Sequence, residues 1–329
     1  MNGRDDLAHT AAVRYYLQEQ TMDAVAKELS VSRATVSRLL KHARETGIVR
    51  IHIEQPEQQT DQLSSSFSEL FGVRALVVPV RTSAAVPMRV EQVSRVAADL
   101  LRELMGPGTI LGVAWGSTVT ELSRHLQPRR LSDTIVVQLN GAGNATRTGI
   151  PYTGAILNTV AEAFGSQVVH FPVPAFFDYA ETKQAMWRER SIRGVLALQR
   201  EAHLAVFGVG AIQGSVPSHV YSSGYFEEQD YASIARDRVA GDVCTVLLRE
   251  DGSWADIAMN ARASGPTPRE LAGIDRRLCV AADPQRAPAL LGALRAGAIT
   301  DLVVDQITAH LVMDSLRPRT TGPRPSFFD

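Results

Sequence analysis

Apolar residues near the start of the chain recur with the three-and-four spacing of a helix. Met22, Val25, Ala26 and Leu29 fall at i, i+3, i+4 and i+7, and Val36, Leu39, Leu40 and Ala43 repeat the pattern one element later. Each set makes one apolar stripe, and only Ser30-Val31-Ser32 separates the two. A turn that short forces the helices to cross steeply, which predicts a helix-turn-helix over residues 21 to 46. Ala26 is small enough for the close approach, Val31 plugs the turn, and the Ser32 hydroxyl caps a second helix beginning at Arg33. Glycine is usual at position 30, where the chain often needs a left-handed backbone, so Ser30 carries a modest cost. Leu7 to Leu17 reads as a supporting helix, with Ala8, Ala12, Tyr15 and Tyr16 available to the core. Gly47 ends the second helix, and Ile48, Val49, Ile51 and Ile53 make a short strand able to serve as a wing.

From Val73 the pattern changes. Short apolar runs at Val73 to Val80, Thr109 to Ala114, Thr134 to Leu139, Val168 to Val173, Leu204 to Val209, Val243 to Leu248, Leu278 to Ala281 and Leu302 to Val304 read as strands. Helical patterns at Val90 to Met105, Ile156 to Phe164, Ala287 to Ala296 and Ile307 to Leu316 lie between several of them. Continuous apolar strands alternating with helices predict a mostly parallel sheet covered on both faces. The polar stretch Pro56 to Ser66 reads either as a linker or as the exposed start of a connecting helix running toward Leu70. The expected organisation is a small helical domain over 1–55, a linker over 56–66, a large α/β domain over 67–317 and a flexible tail over 318–329.

Composition narrows the function. With 329 residues and 45% hydrophobic positions the chain can build a core of ordinary size, and a net charge of -1 gives the whole no attraction for polyanions. Positive charge is instead concentrated between Ser30 and His52, where Arg33, Arg38, Lys41, Arg44 and Arg50 face only Glu45. The exposed face of the second helix presents Arg33, Thr35, Ser37, Arg38 and Lys41. Arginine can make paired hydrogen bonds to a guanine edge in the major groove, whereas Ser, Thr and Lys mostly hold phosphates. Arg33 and Arg38 are therefore the candidate base readers, Ser32, Thr35, Ser37 and Lys41 their neighbours on double-stranded DNA, and Arg50 and His52 sit near its backbone. A solvated basic face is the alternative, and the doubled stripe at fixed offset argues against it. Two cysteines and eight scattered histidines give no metal-ligand spacing, and no cofactor is expected. No apolar run reaches the length of a membrane span and no signal sequence opens the chain, so a cytoplasmic protein without membrane association is expected.

Small polar residues cluster just after three expected strands, and open parallel sheets bind ligands beyond the carboxyl ends of their strands. Trp115-Gly116-Ser117-Thr118 leads into a helix whose free amides and two hydroxyls suit an anion, or simply cap the helix. Asn140-Gly141-Ala142-Gly143 and Gly208-Val209-Gly210 are the other loops. Neither has nucleotide-fingerprint spacing, and each alone reads as a tight turn or a close backbone approach. Asp283-Pro284-Gln285-Arg286 leads from a strand into a helix, where Arg286 either grips an anion at two points or is an ordinary surface arginine.

Taken in order, several stretches resemble the SorC family of bacterial sugar-responsive regulators. They are Val31 to Leu40, Gly47-Ile48-Val49, Leu111 to Thr118, Phe207-Gly208-Val209-Gly210, Ala240-Gly241-Asp242-Val243 and Ala293 to Gly297. The resemblance implies a Rossmann-like effector domain similar in fold to phosphosugar isomerases and CoA transferases. It also implies homo-oligomers, dimer or tetramer, assembled through that domain, and control of operator binding by a sugar, polyol or sugar-phosphate effector. On that pattern Gly116, Ser117 and Thr118 line a phosphate site and Asp242 stands close to the pocket. The chain departs from the family's usual Ala-Gly-Gly and lysine with Ala281-Ala282-Asp283 and Arg286, and from a usual aspartate and glutamate with His203 and Gln306. Asp283 would repel phosphate and hydrogen-bond sugar hydroxyls, which widens the effector class to neutral sugars and polyols.

The expectation is a non-enzymatic transcriptional regulator with effector contacts from Gly116, Ser117, Thr118, Asn140, Gly141, Gly208, Gly210, Asp242, Asp283 and Arg286. The alternative is an enzyme acting on a sugar phosphate, with Asp242 the nearest general-base candidate, but no paired acid and base have a recognisable spacing.

Overall fold

The computed structural model describes residues 3–49, 56–144, 149–212, 218–222 and 224–317. The chain divides into two compact units at Gln55/Pro56.

In the first unit α1 (Gly3–Ala12) runs into a single wider helical turn over Val13–Leu17, followed by α2 (Met22–Glu28) and α3 (Arg33–Glu45). The expected supporting helix is thus regular only as far as Ala12. Thr21 and Ser32 cap α2 and α3 through their hydroxyls, which accept the Ala24 and Thr35 amides at 3.2 and 3.1 Å. These caps satisfy amides that the helix itself leaves open. The stripe residues Val25, Ala26, Val36, Leu39, Leu40 and Ala43 are buried together with Ala8, Ala11 and Ala12, and half-buried Val31 packs on them from the turn. Ser30 adopts φ 54, the left-handed backbone its position demands, and Gly47 ends α3 at φ 78. Ile48 and Val49 fold back on this core, the Val49 amide donating to the Ala43 carbonyl at 2.9 Å. The remainder of the expected wing, including Arg50 and His52, lies outside the described residues, as does the expected tail over 318–329.

The second unit opens with α4 (Pro56–Phe71), so the stretch expected as a linker over 56–66 is helical. Its polar composition hides two apolar positions one turn apart, Leu63 and Phe67, that are buried against the domain core. The strands are β1 (Arg74–Val78), β2 (Ile110–Val113), β3 (Ile135–Gln138), β4 (Gln167–Val169), β5 (Leu204–Ala211), β6 (Gly241–Val243), β7 (Val246–Leu248), β8 (Arg276–Ala281) and β9 (Asp301–Asp305). The helices are α5 (Val86–Leu104), α6 (Ser117–His125), α7 (Gly149–Phe164), α8 (Ala180–Met186), α9 (Arg190–Arg200), α10 (His219–Ser222), α11 (Glu228–Arg236), α12 (Pro268–Leu271), α13 (Ala287–Arg295) and α14 (Gln306–Asp314).

Seven strands pair in parallel in the order β1-β9-β8-β5-β2-β3-β4. Alternate residues of one strand serve opposite faces. Leu278 and Val280 join α5, α6 and α7 in one core, while Cys279 and Ala281 join α4, α13 and α14 in the other. This is the doubly covered sheet that the unbroken apolar runs predict.

Two expected strands differ. The run Val168 to Val173 is strand only to Val169, because β4 is the sheet edge and its Phe171 and Val173 leave the ladder to form a satellite cluster with Phe177 and Ile192. The run Val243 to Leu248 is not one strand but the β6–β7 hairpin. Its two-residue turn, Cys244-Thr245, holds φ 50 and φ 71, the primed geometry that matches strand twist. Neither residue type advertises that geometry, so the turn is silent in the sequence. Among the described residues no helix is long and apolar enough to cross a membrane.

Candidate functional site

On the first unit, Ser32, Arg33, Ser37, Arg38 and Lys41 are exposed and Thr35 is half-buried at the start of α3. The Ser32 and Thr35 hydroxyls are bonded to each other at 2.9 Å, so both belong to the cap and stand at the helix entrance. Arg33 lies 3.7 Å from Asp23, and Lys41 lies 3.7 Å from Glu45, all four groups well exposed. Pairs of that kind are worth well under ~1 kcal/mol in water and give way readily to a stronger anion. Arg38 makes no ion pair or side-chain hydrogen bond among the described residues. Arg14 pairs with Glu28 and His42 meets Asp5 at 2.7 Å, which ties α2 to the turn after α1 and α3 to α1.

On the second unit, the sheet reverses its winding between β2 and β5, and a cleft opens at the carboxyl ends of these two strands. This switch point is where a doubly wound sheet leaves room for a ligand. With the open space at its mouth the cleft holds about 440 Å³. Gly116, Ser117 and Thr118 line it from the start of α6, Asn140 from the end of β3, Gly208 and Gly210 from β5, Asp242 from β6 and Arg286 from the turn before α13. Eight of the ten sequence candidates therefore meet in one place.

Two do not. Gly141 is fixed from behind: its carbonyl accepts the Trp115 indole N–H at 2.9 Å and its amide donates to Ser264 Oγ at 2.9 Å. A Cβ there would stand 2.3 Å from the Pro174 carbonyl, so its glycine serves close backbone packing. Asp283 is buried outside the lining, and its carboxylate accepts the Gln285 amide at 3.0 Å, capping the turn Pro284–Arg286. Its charge acts on the Arg286 guanidinium, and its φ of 145 is strained for any residue with a side chain.

Within the cleft three buried polar atoms have no hydrogen-bond partner among the described residues: Asn140 Oδ1, Asp242 Oδ1 and Arg286 Nε. Arg286 is held in place by donating from Nη1 to the Val209 carbonyl at 2.6 Å, which leaves the remaining edge of the guanidinium uncommitted. Asp242 accepts the Thr245 amide at 3.1 Å on its other oxygen, the reason the Cys244-Thr245 turn matters to the site. Burial pushes the Asp242 carboxyl up to about 6, against the opposing pull of the Tyr221 hydroxyl, the Thr245 amide and the Arg286 charge. Burial likewise lowers the basicity of His219 and Arg286 and raises the Tyr221 phenol and the Cys244 thiol.

The sequence reading missed Ser218, His219, Cys244 and Thr245, which also line the cleft. Ser218 Oγ accepts the Ala211 amide at 3.0 Å, and the His219 ring stacks on Tyr152 with centroids 4.4 Å apart. Ser218 and His219 reach the cleft from beyond β5, and Cys244 and Thr245 through the tight turn just after Asp242.

A helix-turn-helix unit joined to a doubly covered parallel sheet with a polar cleft at its switch point defines a class: a DNA-binding transcriptional regulator with a ligand-binding domain. The family model for a sugar-binding domain matches residues 55–314. The deoxyribonucleoside regulator of Bacillus subtilis (strain 168) is 29% identical over 313 residues, 95% of this chain and 99% of its own length. A domain of a possible sugar-binding transcriptional regulator from Arthrobacter aurescens TC1 is 42% identical with a TM-score of 0.73, covering 79% of this chain and 99% of that one. The full-length sorbitol operon regulator SorC from Klebsiella pneumoniae has the same fold, with a TM-score of 0.70 at 23% identity over 94% of this chain and 99% of its own. The chain belongs to the SorC family of sugar-responsive transcriptional regulators.

Proposed function

We propose that the cleft binds a sugar, polyol or sugar-phosphate effector, and that the bound effector resets the affinity of the helix-turn-helix for operator DNA. The observation that carries this reading is the convergence in one cleft of Asn140 Oδ1, Asp242 Oδ1 and Arg286 Nε, all buried and all without a partner among the described residues. An unmade buried hydrogen bond costs ~1–3 kcal/mol, and a polyhydroxylated ligand supplies donors to the two oxygens and an acceptor to the guanidinium. Ser117, Thr118 and the open amides of α6 suit the phosphate or most acidic end of such a ligand. Gly116, Gly208 and Gly210 keep the walls low enough for it to enter.

At the other end, Arg33 and Arg38 read base edges while Ser32, Thr35, Ser37 and Lys41 hold the backbone. The protein acts in the cytoplasm as a homo-oligomer assembled through the large unit. Two recognition helices then meet half-sites about one DNA turn or a multiple apart, and effector binding changes their spacing. Sensing rather than turnover is its role, in keeping with relatives that are named as regulators.

Two measurements test this. Thermal-shift screening of sugars, polyols and their phosphates is expected to find one that raises the melting temperature, and raises it less in Asn140→Ala. Arg38→Ala is expected to abolish operator binding in a gel-shift titration while that ligand still binds. Equal operator affinity in Arg38→Ala, or turnover of the ligand by the full chain, would overturn the reading.

A further inference from the structure

Next to the effector cleft lies a second, larger cavity, about 780 Å³ when the open space at its mouth is counted. The two share a wall. Leu139 and Val246 line the second cavity, whereas their chain neighbours Asn140 and Thr245 line the cleft.

Most of the cavity's polar groups are already spent on the fold. The Asn260 side chain is bonded to the Leu247 backbone on both sides and to the Trp254 carbonyl. Ser264 Oγ bridges the Gly141 amide and the Ala175 carbonyl. Glu270 accepts the Thr267 amide and hydroxyl, each at 2.8 Å, in a capping box at the start of α12. Gln199 donates from Nε2 to the Gln138 and Leu139 carbonyls. Two cations make no ion pair among the described residues: Lys183, half-buried, with its ammonium 5.5 Å from the Trp187 ring centroid, and exposed Arg200. Trp187 itself is wedged by Phe171 and Phe177, each with ring centroid 5.6 Å away, so it forms a fixed aromatic platform beneath the lysine. Burial lowers the basicity of Lys183, and the Glu270 charge only partly opposes this. Beyond the mouth, Arg190 and Arg193 extend the positive surface along α9.

A cavity with an aromatic floor and two cations that pair with no carboxylate among the described residues, its one lining carboxylate being turned to the α12 cap, suits an anion with an apolar body. We infer that this cavity is a second ligand site, taking a small organic anion with a phosphate or carboxylate head held by Lys183 and Arg200 and a flat body lying on Trp187. Lysine acts on the head as a compact charge and arginine as a two-point donor. The shared wall makes the occupant a second input to the regulator, felt at the effector cleft through Leu139-Asn140 and Thr245-Val246. The site stands whether or not the cleft takes a sugar.

Calorimetric titration of the full chain with phenyl phosphate and with benzoate tests it. Saturable binding of at least one probe is expected, and the tighter one identifies the head group. Affinity should fall about tenfold in Lys183→Gln and several-fold in Arg200→Gln, and should be largely restored in Lys183→Arg. Arg95→Gln, which removes an exposed cation paired with Glu91 on α5, should leave it unchanged. Matching melting temperatures without ligand show that the variants fold. No saturable binding, equal affinity in Lys183→Gln, or an equal loss in Arg95→Gln would overturn the site.

Discussion

Gly210 and Asp242 stand directly opposite one another in the antiparallel pairing of β5 with β6, and the carboxylate of one occupies the space that a side chain on the other would fill. A Cβ on residue 210 would meet Asp242 Oδ1 at 1.9 Å. The glycine therefore does more than lower a wall: it seats the one acidic group that lines the cleft.

Gly210→Ala is accordingly expected to cost about 1–3 kcal/mol, as overpacking does, and to weaken effector binding by displacing Asp242. Urea denaturation and ligand titration of the same preparation check both halves. A variant with unaltered ligand affinity would show that Asp242 is not part of the binding surface.

Asp242 also ties stability to pH. Its folded value of about 6 lies above the model-compound value of 3.8, so the folded protein holds this proton more tightly than the unfolded chain. The stability it contributes is fully present below about pH 4 and is lost as pH rises through 6, a swing of about 3 kcal/mol for a difference of that size. Asp242→Asn removes the swing. The stability difference between variant and parent should therefore shift in favour of the variant between pH 4.5 and pH 7.5, and a constant difference would refute the assignment.

In the helix-turn-helix, opposite outcomes are expected two residues apart. Ser30→Gly should stabilise α2 and α3 by about 1 kcal/mol, because φ 54 is strained for serine and free for glycine. Ser32→Ala should destabilise them by about 1 kcal/mol through loss of the cap to Thr35. Amide hydrogen exchange in α2 and α3 of the full chain reports each effect without requiring the unit to be isolated.

Gly141→Ala separates structural glycines from those that line the cleft. Its Cβ would press on the Pro174 and Val173 carbonyls at 2.3 and 2.5 Å, main-chain atoms that cannot swing away. A loss of about 3 kcal/mol or more is expected, seen as a lowered melting temperature of the large unit. Near-parental stability would mean that this loop yields more easily than its packing suggests.

What could be read in advance follows from the range of the physics involved. The stripes of Val25-Ala26 and Val36-Leu39-Leu40 are local periodicities, and a helix buries whatever its period places on one face, so the helix-turn-helix and its cap at Ser32 were legible. The unbroken runs of β2, β5 and β8 were legible for the same reason, since only a sheet covered on both faces tolerates them. Polar composition left Pro56 to Ser66 open between linker and helix, and the burial of just Leu63 and Phe67 is enough to seat α4. It misled at Asp283, whose charge faces its own turn.

The sequence by itself determined the elements, their faces and the loops that could carry a ligand, because those depend on neighbours three, four or two residues apart. Only the tertiary structure decided which of those loops meet. Strand order brought Asn140, Asp242 and Arg286 into one cleft, left Gly141 outside it, and folded Cys244-Thr245 back beneath Asp242. The first two depend on contacts between residues far apart in the chain, fixed by how the whole sheet is wound, and the third on a tight turn that its residue types do not announce.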